Sequence, residues 1–596
     1  MATQKTSKQA LKKNIFNIQP AFVKTWVNNL PMGSTGEASK QLYHALRQVN
    51  KQENILDQHI KFLETIAPTL ALLYPRLSKY FSDVSLPLNT KTRNAIHVTN
   101  SLLSEILLSY KTIIKKLFSK KPFGWKKPFT LAIHRTLIYS SQIFYSQQLT
   151  YQPYNKGRWR DIFWCYQQTE NLKLLNKSYS NYSEENEKTS LHYEFKKLLL
   201  LSLLSSNDID YKTQLEVQKL MPLWIKNIDI LQNEPDDKKT CFILNLISDV
   251  PPYLIGTQKD NTKQTLDRYY LTTSKLQALL SAYLNKIDDE GAIRLGNNIL
   301  FKSTIQTLLS SWTRNHLRKN LRKTGTGFVD IITGITAIHF VLNQQDQPAY
   351  NETSVDLPDM VVDFESTLTI EPIQHNLKSE MLGLDYFLGS SEQEEDIWNK
   401  IYESNINEPI KKADWIESGR HKIFSFTKSI LLDYSKDGYR LSVSDKKIDC
   451  LKQNELVAVR EHALAPWALA QVKWLHFSQK GDLQFGLRIL THHILPINIL
   501  YCANHKMSKP LPCLLGMDTK RLVLFIPTLP TNLKGKKLQL EHQGQYSKIK
   551  LKNRLLTTPA FDVYEIYEPA SYEKKSITVT QEKNKPVLND DIWENF

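Results

Sequence analysis

A short polar cluster between two predicted strands carries side chains that could recognise a ligand. Alternating apolar and polar residues predict strands over residues 424–432 and 439–443, separated by an Asp-x-Ser-x-x-Gly turn formed by Asp433, Ser435 and Gly438. Aspartate can accept hydrogen bonds from a planar heterocycle, serine can donate to an anionic oxygen, and glycine leaves the backbone open to close approach. The turn therefore suits a planar, hydrogen-bonding ligand, although ordinary hairpins also use such residues.

Three arginines at four-residue steps form a second candidate cluster ahead of a strand-like run at residues 328–342; they are Arg314, Arg318 and Arg322. Guanidinium groups bind phosphate oxygens and the O6/N7 edge of guanine through two parallel hydrogen bonds, which lysine cannot do. Without the turn described above, the same spacing would also fit a basic helix end.

Together the two clusters resemble the motifs of the PilZ family of cyclic di-GMP receptors. Predicted strands at residues 456–461, 467–477 and 483–490 resemble the rest of a small PilZ barrel. The resemblance implies cyclic di-GMP as the ligand. We expect no cofactor and no metal, because no group of side chains has the spacing of metal ligands. By the same resemblance, Arg318 and Arg322 match the first motif, with Arg314 in an alternative register, and Asp433, Ser435 and Gly438 match the second.

The elements ahead of these motifs are predicted to be helical. Ser34 and Glu37 have the spacing of a capping box, and apolar residues then recur at helical intervals in several segments, among them residues 213–230, 266–287 and 299–309. This region resembles the long α-helical N-terminal part of a subset of PilZ proteins. We therefore expect an α+β multidomain protein whose residues 1–314 form an all-α, helical-repeat-like or bundle domain.

Strand patterns dominate the rest of the chain. We expect a PilZ-like β-barrel over residues 315–505, with an acidic insertion at residues 343–415, then a second small β-domain at residues 506–570 and a disordered tail at residues 571–596. Residues 346–414 contain sixteen Asp or Glu and four Lys, a formal charge of −12. Because the whole chain carries +17, the remainder carries +29 and should attract anions.

Composition and motifs argue against several functional classes. The five cysteines are widely spaced, which disfavours both a disulfide framework and a zinc site. His339, His492 and His493 fall within or beside predicted apolar strands and are expected to be structural. No phosphate-binding glycine loop, apolar stretch of membrane-spanning length or secretory signal is evident, so we expect a cytoplasmic, non-enzymatic protein.

The predicted function is that of a bacterial cyclic di-GMP effector that contacts a protein of a motility or attachment machine, such as a type IV pilus or flagellum. Two alternatives stay open. One is a degenerate PilZ-like interaction scaffold without nucleotide binding. The other, a nucleic-acid-binding protein, is less expected. It would use the positive charge of the chain and a basic loop at residues 116–127. This loop can also be interpreted as a solvated connector or as a segment that rests on a membrane surface.

Overall fold

The computed structural model describes residues 16–567, apart from residues 83, 155, 183–186, 205–210, 256–266, 289–291, 297, 314–321, 346–425, 444–450, 479–481, 504–505, 519–520, 530–532, 534–537, 543 and 559. The described residues form two compact units. The first contains residues up to Val84 and from Leu88 to Thr313. The second contains Ser85–Pro87 and the described residues from Arg322 onward.

The first unit is built mainly from α-helices. The expected capping box is present, because the Ser34 hydroxyl accepts from the Glu37 backbone N–H at 3.4 Å. Asn89 caps a longer helix by accepting from the Thr92 N–H at 2.7 Å. The helices are α1 Pro20–Asn28, α2 Thr35–Asn50, α3 Leu56–Ser78, α4 Thr90–Lys120, α5 Lys126–Leu149, α6 Arg158–Asn171, α7 Leu191–Leu203, α8 Tyr211–Lys219, α9 Met221–Ile225, α10 Ser274–Leu284 and α11 Lys302–Trp312, with a short 3₁₀ helix at Lys79–Phe81.

Short strands interrupt the helices of this unit. They are β1 Ser178–Ser180, β2 Lys188–Ser190, β3 Asp229–Leu231, β4 Cys241–Asn245, β5 Tyr253–Leu254, β6 Arg268–Thr272, β7 Ala292–Leu295 and β8 Asn298–Phe301. Strands β3, β6, β4 and β5 form a four-stranded antiparallel sheet in that order. The prediction of helix over residues 266–287 and 299–309 is therefore wrong at the start of each range. A short apolar or aromatic run does not distinguish strand from helix by its period alone.

The second unit begins with a closed, antiparallel six-stranded barrel and one added strand. The strands are β9 Lys323–Thr324, β10 Phe328–Thr333, β11 Thr427–Ser435, β12 Gly438–Val443, β13 Leu456–Arg460, β14 Ala468–Phe477 and β15 Leu483–Thr491. The barrel has the order β10, β13, β14, β15, β12, β11, in which β11 also pairs with β10, and β9 pairs with the rest of β11. The expected α+β architecture, with a helical region followed by a barrel and a further β-domain, is confirmed.

The predicted strand at residues 328–342 is wrong in its second half. Strand β10 ends at Thr333, Gly334 adopts a φ of +85°, and helix α12 Ile335–Gln345 follows. A positive φ ends a strand, and glycine adopts it without a Cβ clash. The buried Ile335, Ile338 and Leu342 then have helical spacing. His339 therefore lies on a helix and not on a strand.

The second β-domain is an antiparallel sheet. Its strands are β16 Ile494–Ala503, β17 Lys506–Met507, β18 Leu511–Asp518, β19 Arg521–Pro527, β20 Leu538–His542, β21 Gln545–Ile549, β22 Leu551–Thr557 and β23 Phe561–Ile566. They lie in the order β21, β20, β16, β18, β19, β23, β22, with β17 beside β16. Because β16 pairs with β18 and β20, this sheet begins at Ile494 and not at the predicted residue 506. Helix α12 shares one apolar cluster with the barrel and this sheet.

Two predicted segments fall outside the described residues. These are the acidic segment from residue 346 onward and the tail from residue 571. Across the described ranges, no helix combines the length and the apolar character needed to span a bilayer. The same residues contain no cluster of three or more His, Cys, Asp or Glu that could hold a metal ion.

Candidate functional site

Strand β9 brings Arg322, the last of the three arginines, to the aspartate of the turn motif. It pairs antiparallel with β11, so that Thr324 lies opposite Asp433 and Lys323 opposite Tyr434. Just beyond this pairing, the Gly325 N–H donates to the Leu432 carbonyl at 3.0 Å, and a Cβ on Gly325 would overlap the Leu431 side chain. Glycine therefore lets the chain run this close to β11 without displacing the Leu431 side chain. As a result, Arg322 lies beside Asp433 although 111 residues separate them in the sequence.

Asp433 is held by two arginines. One carboxylate oxygen accepts a hydrogen bond from Arg322 Nη1. The other oxygen lies 3.6 Å from Arg440 Nη1. The Arg322 and Asp433 side chains are 24% and 19% exposed, so a ligand arriving from solvent can reach the pair. The site therefore presents cationic donors and an anionic acceptor side by side.

The turn is tighter than the sequence analysis predicts. Strand β11 continues through Ser435, and β12 starts at Gly438, which leaves Lys436 and Asp437 as a two-residue hairpin loop. Asp433 and Ser435 therefore lie on the strand and not in the loop, where strand pairing fixes their positions. Within the described part of the chain, the Ser435 hydroxyl has no hydrogen-bond partner and remains available to a ligand.

Gly438 has a packing role that the motif does not reveal. It pairs with Arg488 on β15, and a Cβ on Gly438 would overlap the Leu487 carbonyl oxygen and lie 3.0 Å from the Leu487 carbonyl carbon. The position is buried. The barrel thus needs glycine here for strand contact, whether or not a ligand approaches.

One row of paired residues continues the site across the outer surface of the barrel. Asp433 pairs with Arg440, Arg440 with Gly486, and Gly486 with Trp474, so these four residues share one face. The neighbouring row points into the barrel, and its members Leu441, Phe485 and Leu475 are fully buried.

Arg440 and Trp474 shape the surface beside Asp433. Arg440 Nη2 donates to Gln484 Oε1 at 2.8 Å. The Trp474 indole covers the space where a Gly486 side chain would lie. Burial, and then the nearby Arg440 charge, lower the pKa of His476, which favours a neutral imidazole at this edge. The sequence analysis missed Arg440, although alternation with the apolar Tyr439 and Leu441 marks it as outward-facing.

Two predicted site residues, Arg314 and Arg318, lie outside the described residues. Of the predicted set, the structure brings together Arg322, Asp433, Ser435 and Gly438 at one end of the β11–β12 hairpin.

The fold and the site define a class of protein in which an arginine ahead of a small closed barrel meets an Asp-x-Ser-x-x-Gly hairpin on the barrel's outer surface. Comparison with known families identifies the same class. Residues 21–236 match the model described as "Cyclic-di-GMP receptor FimW, N-terminal domain", and residues 241–496 match "Cyclic-di-GMP receptor FimW, middle PilZ domain". The chain belongs to the family of PilZ-domain cyclic di-GMP receptors.

A curated relative supports the assignment over nearly the whole chain. The cyclic-di-GMP receptor FimW of Pseudomonas aeruginosa is 19% identical over 575 residues, which cover 92% of this chain and 90% of the relative. No solved structure matches the chain. The middle-domain match begins at residue 241 and so includes strands β4 to β8 of the first unit, whereas the sequence analysis starts the barrel domain at residue 315.

Proposed function

We propose that this chain is a cyclic di-GMP receptor and that Arg322, Asp433, Ser435 and Gly438 form the described part of its binding site. Arg314 and Arg318, at the preceding four-residue steps, complete the proposed site from the segment that leads into β9. The observation that carries the proposal is the placement of the Arg322 guanidinium against the Asp433 carboxylate on the outer surface of the barrel. The family membership supports the same ligand.

The chemistry of the ligand matches these groups. Cyclic di-GMP carries two phosphates and two guanines. The Arg322 guanidinium can donate in parallel to phosphate oxygens or to the O6/N7 edge of guanine. The Asp433 carboxylate can accept from the N–H groups of guanine, and the Ser435 hydroxyl, which bonds to no residue that the structure describes, can donate to a phosphate. Binding would replace the Arg322–Asp433 ion pair by contacts with the ligand. Arg322 would then donate to acceptor atoms of the ligand, and Asp433 would accept from its N–H groups.

The position of the arginines suggests how binding could be transmitted. Residues 314–321 connect α11, at the end of the first unit, to β9 of the barrel unit. A ligand that engages Arg314 and Arg318 of this segment together with Arg322, which follows it, would restrict the segment and so bias the arrangement of the two units. We propose that a bacterial protein of a motility or attachment machine, such as a type IV pilus or flagellum, reads this change in the cytoplasm. In this proposal the chain acts as a receptor and not as an enzyme.

Isothermal titration of the full chain with cyclic di-GMP tests the proposal. We expect Arg322→Ala and Asp433→Ala each to weaken binding by about 30-fold or more, because truncating one partner of a desolvated charge pair costs about 2–5 kcal/mol. Arg322→Lys should recover only part of the affinity, since lysine keeps the charge but loses the paired donors.

Lys323→Ala is the matched control. It removes one positive charge from the neighbouring residue, whose side chain is exposed and forms no ion pair with a described residue. Thermal unfolding of each variant separates lost binding from lost structure. Equal affinity for cyclic di-GMP in wild type, Arg322→Ala and Asp433→Ala would refute the proposed site.

A second candidate is a PilZ-like interaction scaffold that binds no nucleotide. The observation that favours it is that Arg322 and Arg440 already lie against Asp433, so the carboxylate has its partners within the protein. If titration of the folded wild-type protein with cyclic di-GMP gives no heat of binding and no saturation, the result supports the scaffold over the receptor. Binding that is confined to oligonucleotides and weakens steeply with salt would instead support the nucleic-acid alternative.

A further inference from the structure

The turn between α4 and α5 forms a second charged surface, far in sequence from the proposed nucleotide site. We call residues 115–127 the basic tip. It contains six lysines and no acidic residue; the lysines are Lys115, Lys116, Lys120, Lys121, Lys126 and Lys127. Lys116 is half-buried and the other five are exposed. None of the six forms an ion pair with any residue that the structure describes.

The structure corrects the expected loop. Helix α4 extends to Lys120, a turn covers residues 121–125, and α5 begins at Lys126. Lys121 and Gly124 both have positive φ, and the Trp125 N–H donates to the Pro122 carbonyl at 3.0 Å, so the turn is compact. The basic tip is therefore the closed end of a helical hairpin.

The fold explains only part of this charge. Lysines at the C-terminus of α4 are stabilised by the helix dipole. Lys126 and Lys127 lie in the first turn of α5, where the same dipole disfavours cations, and the structure shows no acidic residue in that turn. Their positive charge consequently opposes local helix electrostatics and is better explained by an external anionic partner.

An apolar side chain stands at the apex of the basic tip. Phe123 is fully exposed, whereas the other aromatic residues near it pack inward. Phe118 meets Trp164 edge-on at 5.2 Å between ring centroids, and Trp125 meets Phe129 at 5.0 Å. These packed rings support the turn that carries Phe123. The Lys121 ammonium lies over the Phe118 ring, 5.0 Å from its centroid.

We propose that the basic tip binds the surface of a bilayer containing anionic phospholipids, with Phe123 entering the interface and the lysines contacting headgroup phosphates. One exposed ring flanked by lysines fits a broad anionic surface, where each lysine acts as a point charge and the ring leaves water. A single-stranded nucleic acid would need a groove with several exposed rings for stacking. Here Phe118 and Trp125 are turned inward, so the geometry favours the membrane.

Vesicle flotation of the full chain tests this surface, using phosphatidylcholine alone and phosphatidylcholine mixed with phosphatidylglycerol. We expect binding only to the anionic vesicles, and weaker binding as salt is raised. Replacing lysines of the basic tip by glutamine should reduce partitioning by about five-fold for each lysine, and Phe123→Ser by about ten-fold. The lysine variant carries Lys120→Gln, Lys121→Gln, Lys126→Gln and Lys127→Gln.

Matched controls separate the basic tip from the general positive charge of the chain. The charge control replaces four exposed lysines that form no ion pair with described residues: Lys51, Lys177, Lys188 and Lys226, each by glutamine. The apolar control is Leu464→Ser, which changes a side chain that is 93% exposed. Both controls should retain wild-type partitioning.

Three outcomes would overturn the proposal. They are an absence of binding to anionic vesicles, equal losses in the tip variants and their controls, and tighter binding of the basic tip to a single-stranded oligonucleotide than to the vesicles. Titration with cyclic di-GMP is independent of these measurements, so failure of one proposal leaves the other to be judged by its own experiment.

Discussion

Replacing Gly438 by alanine tests whether this motif residue is required by the barrel itself. The added Cβ would overlap the Leu487 carbonyl oxygen and lie 3.4 Å from the Arg488 Cα. Both neighbours belong to the β15 backbone, which cannot rotate away as a flexible side chain could. Strands β12 and β15 must therefore separate at the point where the hairpin begins.

The expected cost follows from that separation. Overpacking a tight site costs about 1–3 kcal/mol. Moving β12 away from β15 also weakens ladder hydrogen bonds, such as the one from the Ile489 N–H to the Asp437 carbonyl at 2.9 Å, each worth about 1 kcal/mol. We expect Gly438→Ala to lower the free energy of unfolding of the barrel unit by about 2–5 kcal/mol.

Hydrogen exchange measured by mass spectrometry can assign the effect to these strands. Peptides from β12 and β15 should exchange faster in Gly438→Ala without ligand, while peptides from α5 should keep wild-type protection. Gly33→Ala is the control, because no atom lies within 4 Å of its added Cβ and its φ is not positive. Wild-type protection of β12 and β15 in Gly438→Ala would refute the packing argument and leave ligand approach as the reason for the glycine.

Three further predictions concern buried polar and sulfur groups. Asp330→Ala should destabilise the barrel unit by about 3 kcal/mol, because it leaves the nearly buried Arg460 without the carboxylate that accepts from its Nε at 2.9 Å; urea unfolding should show part of this stability returning in the double variant Asp330→Leu with Arg460→Met. Burial, and then the neighbouring Arg135, lower the pKa of His134 from 6.5 to about 3. As the pH falls below 6.5, the His134 imidazole therefore binds a proton in the unfolded chain but not in the folded chain. The free energy of unfolding should fall by about 2 kcal/mol between pH 6.5 and pH 5. The fall should be smaller in His134→Gln. Burial raises the thiol pKa of Cys165 to about 12, so mass spectrometry should find Cys165 and the equally buried Cys513 unmodified by a thiol reagent until urea is added.

The parts of the fold that were predictable are those in which local sequence and final environment agree. Ser34 and Glu37 form the expected capping contact, and alternation correctly indicates a strand on each side of Lys436 and Asp437. The errors arise where a local pattern fits two structures. Most of residues 328–342 are apolar or β-branched, and the positive φ of Gly334 marks the change from strand β10 to helix α12.

The candidate site depends on register, which local patterns do not contain. Strict alternation along β11 puts Ile430 and Leu432 on one face, and so sends Asp433 toward the barrel interior with Leu431. In the structure a β-bulge between Leu431 and Asp433 shifts the pairing.

Because of this bulge, Asp433 lies opposite Arg440, whose neighbours Tyr439 and Leu441 point inward and are buried. One extra residue in the strand thereby turns the carboxylate to the outer surface, where β9 brings Arg322. The motif identifies Arg322 and Asp433, but the β-bulge and strand β9 place them together on the outer surface, where a ligand can reach them.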